Sequence, residues 1–145
     1  MNLNIPYMET DNKLLNDAYR IAAGDIVGNI VYYQNGLLTE EKPCMIAGLD
    51  YNTPWTRDTA INIWNALSIL SPEVSKNTLL AVLEEEEGNI YIGGQYWDSI
   101  IWMIGAREYC RFHKDDNFYR LAFEAGRNSV HRLEEDEFDE EDGLL

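Results

Sequence analysis

The chain has 145 residues, a length typical of one domain, and 46% of them are hydrophobic, which excludes wholesale disorder. Its 26 acidic and 11 basic residues give a formal charge of −15. This charge argues against nucleic acid and anionic membrane surfaces as partners, because both select for basic patches. No apolar run of about 18 residues and no signal-peptide pattern is present, so we expect a cytoplasmic protein without a membrane span.

The front of the chain is predicted to form one long helix followed by a loop. Apolar residues recur at three- and four-residue steps over residues 11–33, and the pair Asn35–Gly36 is typical of a helix end. Residues 37–56 contain two prolines and a glycine and have no sustained period. This stretch is therefore predicted to be an ordered loop.

Four further helices are predicted over residues 57–70, 72–85, 97–112 and 117–133. Residues 88–95 read as a glycine-flanked turn, with a short piece of strand as the open alternative. The predicted fold class is therefore all-α, in a single helical domain over residues 1–145. Its helices are joined alternately by tight links and by longer loops.

The two longer loops each bring an aromatic residue and an aspartate to the start of the next helix. The first pair is Trp55 with Asp58, and the second is Trp97 with Asp98. If helical hairpins stack side by side, the ends of these loops gather on one face. We therefore expect the two pairs to converge there.

The first of these loops has the groups needed to hold one sugar unit. Thr56 is predicted to cap the helix, which places Arg57 and Asp58 in its first turn, where the helix dipole favours a carboxylate. The rings of Tyr51 and Trp55 suit the apolar C–H face of a pyranose. Arg57 and Asp58 suit its hydroxyls. Each residue alone has an ordinary structural explanation, but the four together predict a sugar-binding site.

The same residues resemble a known family. The segment Tyr51-x-x-x-Trp55-Thr56-Arg57-Asp58 resembles the Tyr-x-x-x-Trp-Thr-Arg-Asp segment of the glucoamylase family, glycoside hydrolase family 15. It is similar, more loosely, to the Trp-x-Arg-Asp segment of debranching-type and other six-hairpin glycosidases. The resemblance implies that Arg57 and Asp58 bond the hydroxyls of a terminal sugar. It implies that Trp55 walls the pocket and that Tyr51 lies near the reacting ring.

The resemblance also has consequences for the fold. Glucoamylases form an (α/α)6 toroid of twelve helices, so the five helices predicted here correspond to its first portion. An incomplete toroid exposes apolar helix faces, which predicts self-association or association with further chain.

The second loop carries Tyr96, Trp97 and Asp98 behind Gly93 and Gly94. In the six-hairpin families the corresponding loop reaches the active face, which implies that these three side chains line the same sugar site or the next one. The glycines allow the backbone to approach a ligand closely. The alternative is an ordinary helix start with Trp97 in the core.

Hydrolysis of a glycoside by water needs a general acid and a general base. In glucoamylases the acid follows the fifth helix, and this chain ends close to that place. Asp98, Glu141 and Asp142 are weak candidates for it. The acidic run over residues 134–142 lacks the spacing and central glycine of an EF-hand, so we expect neither a metal ion nor a cofactor.

Three functions remain in competition. The first is a glycoside hydrolase of glucoamylase type, with this segment supplying recognition of the terminal sugar of an oligosaccharide. The second is a carbohydrate-binding helical module without catalysis, because the groups for recognition are visible and those for catalysis are not. The third is a helical-hairpin domain whose acidic surface binds a basic protein.

Overall fold

A computed structural model describes residues 5–48, 50–137 and 143. Its elements are, in chain order, α1 (Lys13–Gly28), β1 (Ile30–Tyr33), β2 (Lys42–Met45), α2 (Thr56–Asn62), a π-helical segment (Ile63–Leu67), α3 (Ser68–Leu70), α4 (Pro72–Ala81), β3 (Leu83–Glu86), β4 (Asn89–Ile92), α5 (Asp98–Phe112) and α6 (Asp116–Glu137). The elements from α2 to α3 follow one another without a gap, so they form one helix over residues 56–70. The helices predicted to begin at residues 57 and 97 begin at Thr56 and Asp98, so both starts were predicted to within one residue.

The prediction of an all-α fold is wrong. Of the described residues, 59% are helical and 12% lie in two small antiparallel sheets, so the protein is mixed α and β. Each sheet is a hairpin, with β1 paired to β2 and β3 paired to β4. The described residues do not form the predicted portion of a toroid either.

The first hairpin replaces the end of the predicted first helix. That helix stops at Gly28, and the side chain and backbone N–H of Asn29 both donate to the carbonyl of Asp25. The next residues, Ile-Val-Tyr-Tyr, are β-branched or aromatic and pair with β2, so that Ile30 lies opposite Met45. The predicted loop over 37–56 thus contains a strand that periodicity could not show, because it is four residues long.

The second hairpin replaces the end of the predicted third helix. Its turn residues Glu87 and Gly88 both have positive φ, at 52° and 80°, as a two-residue type I′ turn requires. Leu83 lies opposite Ile92, and Glu86 lies opposite Asn89. Glutamate is a good helix former, which explains the helical prediction, but the tight turn and the cross-strand pairing decide the structure.

The core lies between the helices and against both hairpins. Its largest fully buried side chains include Trp102, Phe118, Ile63 and Leu67. The indole Nε1 of Trp102 donates to the carbonyl of Leu79 at 3.3 Å, so the polar atom of this buried ring is satisfied.

Helices α2 and α5 lie side by side and run in the same direction. Three contacts follow the same chain order along the helix over residues 56–70 and along α5 with the residue after it: Arg57 with Asp98, Ala60 against Gly105, and the Ser68 carbonyl with His113 Nε2. The N-termini of the two helices therefore lie at the same end of the molecule. Each carries one of the predicted aromatic–aspartate pairs, and this arrangement builds the candidate site.

Large apolar side chains remain exposed on α1, where no residue is buried. Leu14 and Ile21 are examples, and Trp64 is exposed in the π-helical segment. Self-association through such faces stays a prediction. Every helix in the described part of the chain is too short or too polar to cross a bilayer.

We predict that Gly105→Ala destabilises the protein by about 1–3 kcal/mol. A Cβ at this position would lie 2.8 Å from the Ala60 Cα and 3.0 Å from its carbonyl oxygen, so the two helices would have to separate. The matched control is Gly24→Ala in α1, where a Cβ meets nothing within 4 Å. Denaturant unfolding should show the control unchanged or stabilised by up to about 1 kcal/mol. Equal stability of Gly105→Ala and wild type would contradict the close contact.

Asp115 is predicted to stabilise the start of α6 in a pH-dependent way. Its carboxylate accepts from Lys76 Nζ at 2.6 Å and from the Phe118 N–H at 3.0 Å, and these bonds hold the pKa of Asp115 below its ordinary value. The stabilisation is therefore complete above the unfolded pKa of about 3.9 and is lost as the pH falls through the folded pKa.

Asp115→Ala should cost about 0.5–2 kcal/mol at pH 7, and its difference from wild type should narrow below about pH 4. Asp116→Ala, which removes an exposed first-turn acid of the same helix, serves as the control. Urea unfolding at a series of pH values measures both. A difference between Asp115→Ala and wild type that is constant with pH would contradict the assignment.

Candidate functional site

A cleft of about 420 Å³ lies where the N-termini of α2 and α5 meet. Its walls come from the approach to α2 and from the loop that precedes α5: Thr53, Pro54, Trp55, Thr56, Arg57, Gly94, Gln95 and Asp98. The volume falls in the range of small-molecule sites. The structure thus brings three of the sequence-predicted residues, Trp55, Arg57 and Asp98, into one cavity.

An ion pair between Arg57 and Asp98 joins the two helix starts. The Arg57 Nε donates to Asp98 Oδ1 at 2.9 Å, and Nη2 lies 2.9 Å from the same oxygen. The other carboxylate oxygen accepts from the backbone N–H of Gln95 at 3.1 Å. The Asp98 side chain is 12% exposed and that of Arg57 is 46% exposed. The carboxylate is therefore fixed in the wall, and the guanidinium keeps N–H groups that face solvent.

The ring of Trp97 holds the guanidinium from a second side. The Arg57 Cζ lies 4.5 Å from the ring centre, a cation–π geometry. Trp97 immediately precedes α5 and does not line the cleft itself. Its part in the site is thus to restrict Arg57, so that less conformational entropy is lost when Arg57 binds a ligand.

Gly94, which follows β4 by two residues, forms part of the cleft wall, and Gly93 ties β4 to α2. The Thr56 hydroxyl donates to the Gly93 carbonyl at 2.6 Å, which ties α2 to the end of the strand. The sequence had predicted that Thr56 caps α2. In the structure Thr56 is the first residue of the helix, and its side chain does not cap it. Gly94 has φ of 125°, and a Cβ there would lie 2.9 Å from Asp98 Oδ2. Only glycine fits between the strand end and this carboxylate.

The exposed ring of Trp55 forms another wall, and Tyr51 packs against it from outside the cavity. The Trp55 residue is 55% exposed and lines the cleft. The Tyr51 ring packs edge-on against it, with ring centres 5.5 Å apart and an interplanar angle of 69°. Tyr51 does not line the cavity, so its part is to support the indole of Trp55, about half of which stays exposed.

The remaining predicted residues lie elsewhere. Asp58 is half-buried in the first turn of α2, outside the cleft lining, and its carboxylate has no ion-pair or hydrogen-bond partner among the residues described. Tyr96 is exposed and lines two neighbouring cavities. The catalytic candidates Glu141 and Asp142 lie outside the described residues.

Sequence reasoning missed Gln95 as a site residue and as a partner of Asp98. Its backbone N–H, three residues before Asp98, makes a local hydrogen bond that no side-chain pattern announces. The available signal was the aspartate in the first turn of the helix, because such a side chain commonly accepts from a nearby backbone N–H. Within residues 5–48 and 50–137, no group of three or more His, Cys, Asp or Glu side chains is arranged to hold a metal ion.

Comparison of the chain with protein-family models, with curated proteins and with solved structures finds no match. The glucoamylase resemblance therefore rests on the segment that begins at Tyr51, and the family assignment stays a prediction. The chemistry of the cleft has to be inferred from its own residues.

We predict that Asp98→Ala destabilises the protein by about 1.5–3 kcal/mol, because it removes charge-assisted hydrogen bonds from a poorly exposed wall. Asp58→Ala is the matched control, since Asp58 also lies in the first turn of its helix and lacks a side-chain partner in the described chain. It should cost only about 0.3–1 kcal/mol. Equal losses in thermal or urea unfolding would show that the Arg57–Asp98 pair does not join the helix starts.

Proposed function

We propose that this chain binds the terminal sugar unit of an oligosaccharide in the cleft, as the recognition part of a glycoside hydrolase. The observation that carries the proposal is the placement of a half-exposed indole, Trp55, and a held guanidinium, Arg57, on the walls of one cavity. One sugar ring presents the two surfaces that such walls complement: an apolar C–H face and an edge of hydroxyls.

Each wall has a defined part in this binding. The Trp55 ring covers the apolar face of the sugar, as aromatic side chains cover other partly apolar ligands. The guanidinium of Arg57 donates to two neighbouring hydroxyl oxygens, because its N–H groups form a rigid planar fork. The Gln95 side chain, which can both donate and accept, lines the same cavity and suits a third hydroxyl.

The contacts of Asp98 favour a positioning role over proton transfer. Its carboxylate accepts from Arg57 and from the Gln95 N–H, so both oxygens are already in use as acceptors. A general acid needs a proton directed at the leaving oxygen. The acid and base of the proposed hydrolase are therefore to be sought elsewhere, with Glu141 and Asp142 still candidates.

The same observation favours a second candidate function, sugar binding without catalysis. Among the residues that line the cleft, Asp98 is the one carboxylate, and it is engaged by Arg57. A site built in this way recognises a sugar without supplying the two carboxyl groups that hydrolysis needs.

Titration with maltotetraose, followed by tryptophan fluorescence and calorimetry, tests the proposal. Arg57→Met and Trp55→Ala should each weaken binding about tenfold or more, because each removes one wall of the cavity. The matched control is Trp64→Ala, which removes an exposed indole in the π-helical segment and should leave the affinity unchanged.

Turnover separates the two candidate functions. Release of nitrophenol from a nitrophenyl glucoside, lost in Arg57→Met, would support the hydrolase. Binding of maltotetraose without release would support the binding module. Wild-type protein that fails to bind maltotetraose, or variants that bind it as well as wild type does, would contradict both.

A further inference from the structure

Helix α1 has an apolar face that nothing in the described part of the chain covers. No residue of α1 is buried, and Leu14 and Ile21 are 78% and 66% exposed. Ala18 lies between them at helical spacing, so the three residues form one stripe along the helix. Leu15 and Ala22 lie beside this stripe and are also exposed. We call these five residues the α1 face.

The charges of α1 place an acid at the end of this face. Lys13 and Arg20 lie on the other side of the helix, where both are paired with Asp17. Asp25 follows Ile21 by four residues and is exposed, and it forms no ion pair with a described residue. The α1 face is therefore an apolar stripe that ends in a carboxylate.

Helices α5 and α6 form an apolar groove. They run antiparallel, because the Tyr109 ring of α5 packs on Phe118 near the start of α6, whereas Met103 lies against Gly126 further along α6. The groove has a volume of about 170 Å³. Its apolar lining includes Trp102, Met103, Ala106, Tyr119, Ala122 and Phe123. Because Tyr119 and Phe123 are 59% and 65% exposed, this α5–α6 groove is open to solvent.

Arginines border the groove in a chain that is strongly acidic elsewhere. Arg107 lines it, and Arg120 and Arg127 lie three residues before and four residues after Phe123, on the same face of α6. All three are exposed, and none forms an ion pair with a described residue. The exposed acids on this part of α6 are Asp116 and Glu124. The groove thus has a small excess of positive charge in a chain of formal charge −15, and it favours an apolar partner that carries a carboxylate.

The α1 face fits this groove in length and in charge. Helix α1 has 16 residues and is about 24 Å long, and α5, which forms one side of the groove, has 15 residues. An amphipathic helix in an apolar groove is a common mode of recognition. Both surfaces are exposed in the same molecule, so they do not cover one another within the chain. A contact between them therefore joins two copies.

We propose that the chain forms a two-fold dimer in which the α1 face of each copy lies in the α5–α6 groove of the other. Such a dimer uses both surfaces of both copies, so it closes and does not continue into a filament. Its two helix–groove contacts bring the interface toward the roughly 800 Å² per partner that a specific complex buries. No residue that lines the cleft belongs to either surface, so this inference goes beyond the proposed function and does not depend on it.

Sedimentation velocity over a series of concentrations tests the dimer. Wild-type protein should dimerise with a dissociation constant in the micromolar range. Ile21→Asp puts a charge into the α1 face, and Phe123→Asp puts one into the groove. Each should weaken dimerisation about a hundredfold or more, because each change occurs in both contacts of the dimer.

The matched control is Ile69→Asp, which changes an exposed isoleucine outside both surfaces and should leave the dimer intact. All three replaced side chains are exposed, so the far-UV circular dichroism of each variant should equal that of wild type. Maltotetraose should bind the variants as it binds wild type. Failure of the dimer and failure of sugar binding are therefore separate results.

A mixture of the two variants distinguishes this dimer from other pairings. Phe123→Asp keeps an intact α1 face, and Ile21→Asp keeps an intact groove. A mixed dimer therefore retains one of the two contacts, whereas each variant alone retains none. The mixture should associate more tightly than either variant does.

Four results would each overturn the proposal. They are a monomeric wild type, an assembly larger than a dimer, a dimer that survives Phe123→Asp, and a mixture that associates no better than its components. The third result would indicate pairing of α1 with α1, and the first would leave the groove to a partner other than a second copy.

Discussion

The close contact between α2 and α5 determines the geometry of everything at the candidate site. Gly105 lets the backbone of α5 approach Ala60 to a distance that no side chain would allow. Because the two helices run in the same direction, their first turns meet at one end, and Arg57 comes within hydrogen-bonding distance of Asp98. The cleft is the space left above this ion pair.

The starts of the helices could be predicted from the sequence, but the ends of the first and third predicted helices could not, and of the strands only β4 was foreseen, as the alternative to a turn over residues 88–95. The start of α5 was expected within one residue of Asp98, because aromatic and apolar residues recur there with a helical period. The four-residue strands are too short for a period of two to show, and the pairing of Ile30 with Met45 is a tertiary contact. The partner strand β3 was overlooked, because a run of glutamates favours helix until a Glu-Gly turn reverses the chain.

The candidate site, too, could be predicted from the sequence only in part. The types of its residues could be predicted from their place at two helix starts, since Trp55, Arg57 and Asp98 all lie there. Which of these residues contact one another could not be predicted. Arg57 and Asp98 are separated by 41 residues, so their pairing depends on how the helices pack. Arg57 and Asp58 were expected to act together on one sugar, whereas the structure pairs Arg57 with Asp98 and leaves Asp58 outside the cleft lining.

The central claim is that Arg57, held by Asp98, and Trp55 bind the two surfaces of one sugar ring. A crystal structure of the chain grown with maltotetraose tests this most directly. The account predicts the terminal ring against the Trp55 indole, with two hydroxyls within about 3.2 Å of the Arg57 guanidinium and the Arg57–Asp98 pair intact. A sugar bound elsewhere, or a complex in which Arg57 leaves Asp98 and turns away from the ligand, would contradict it.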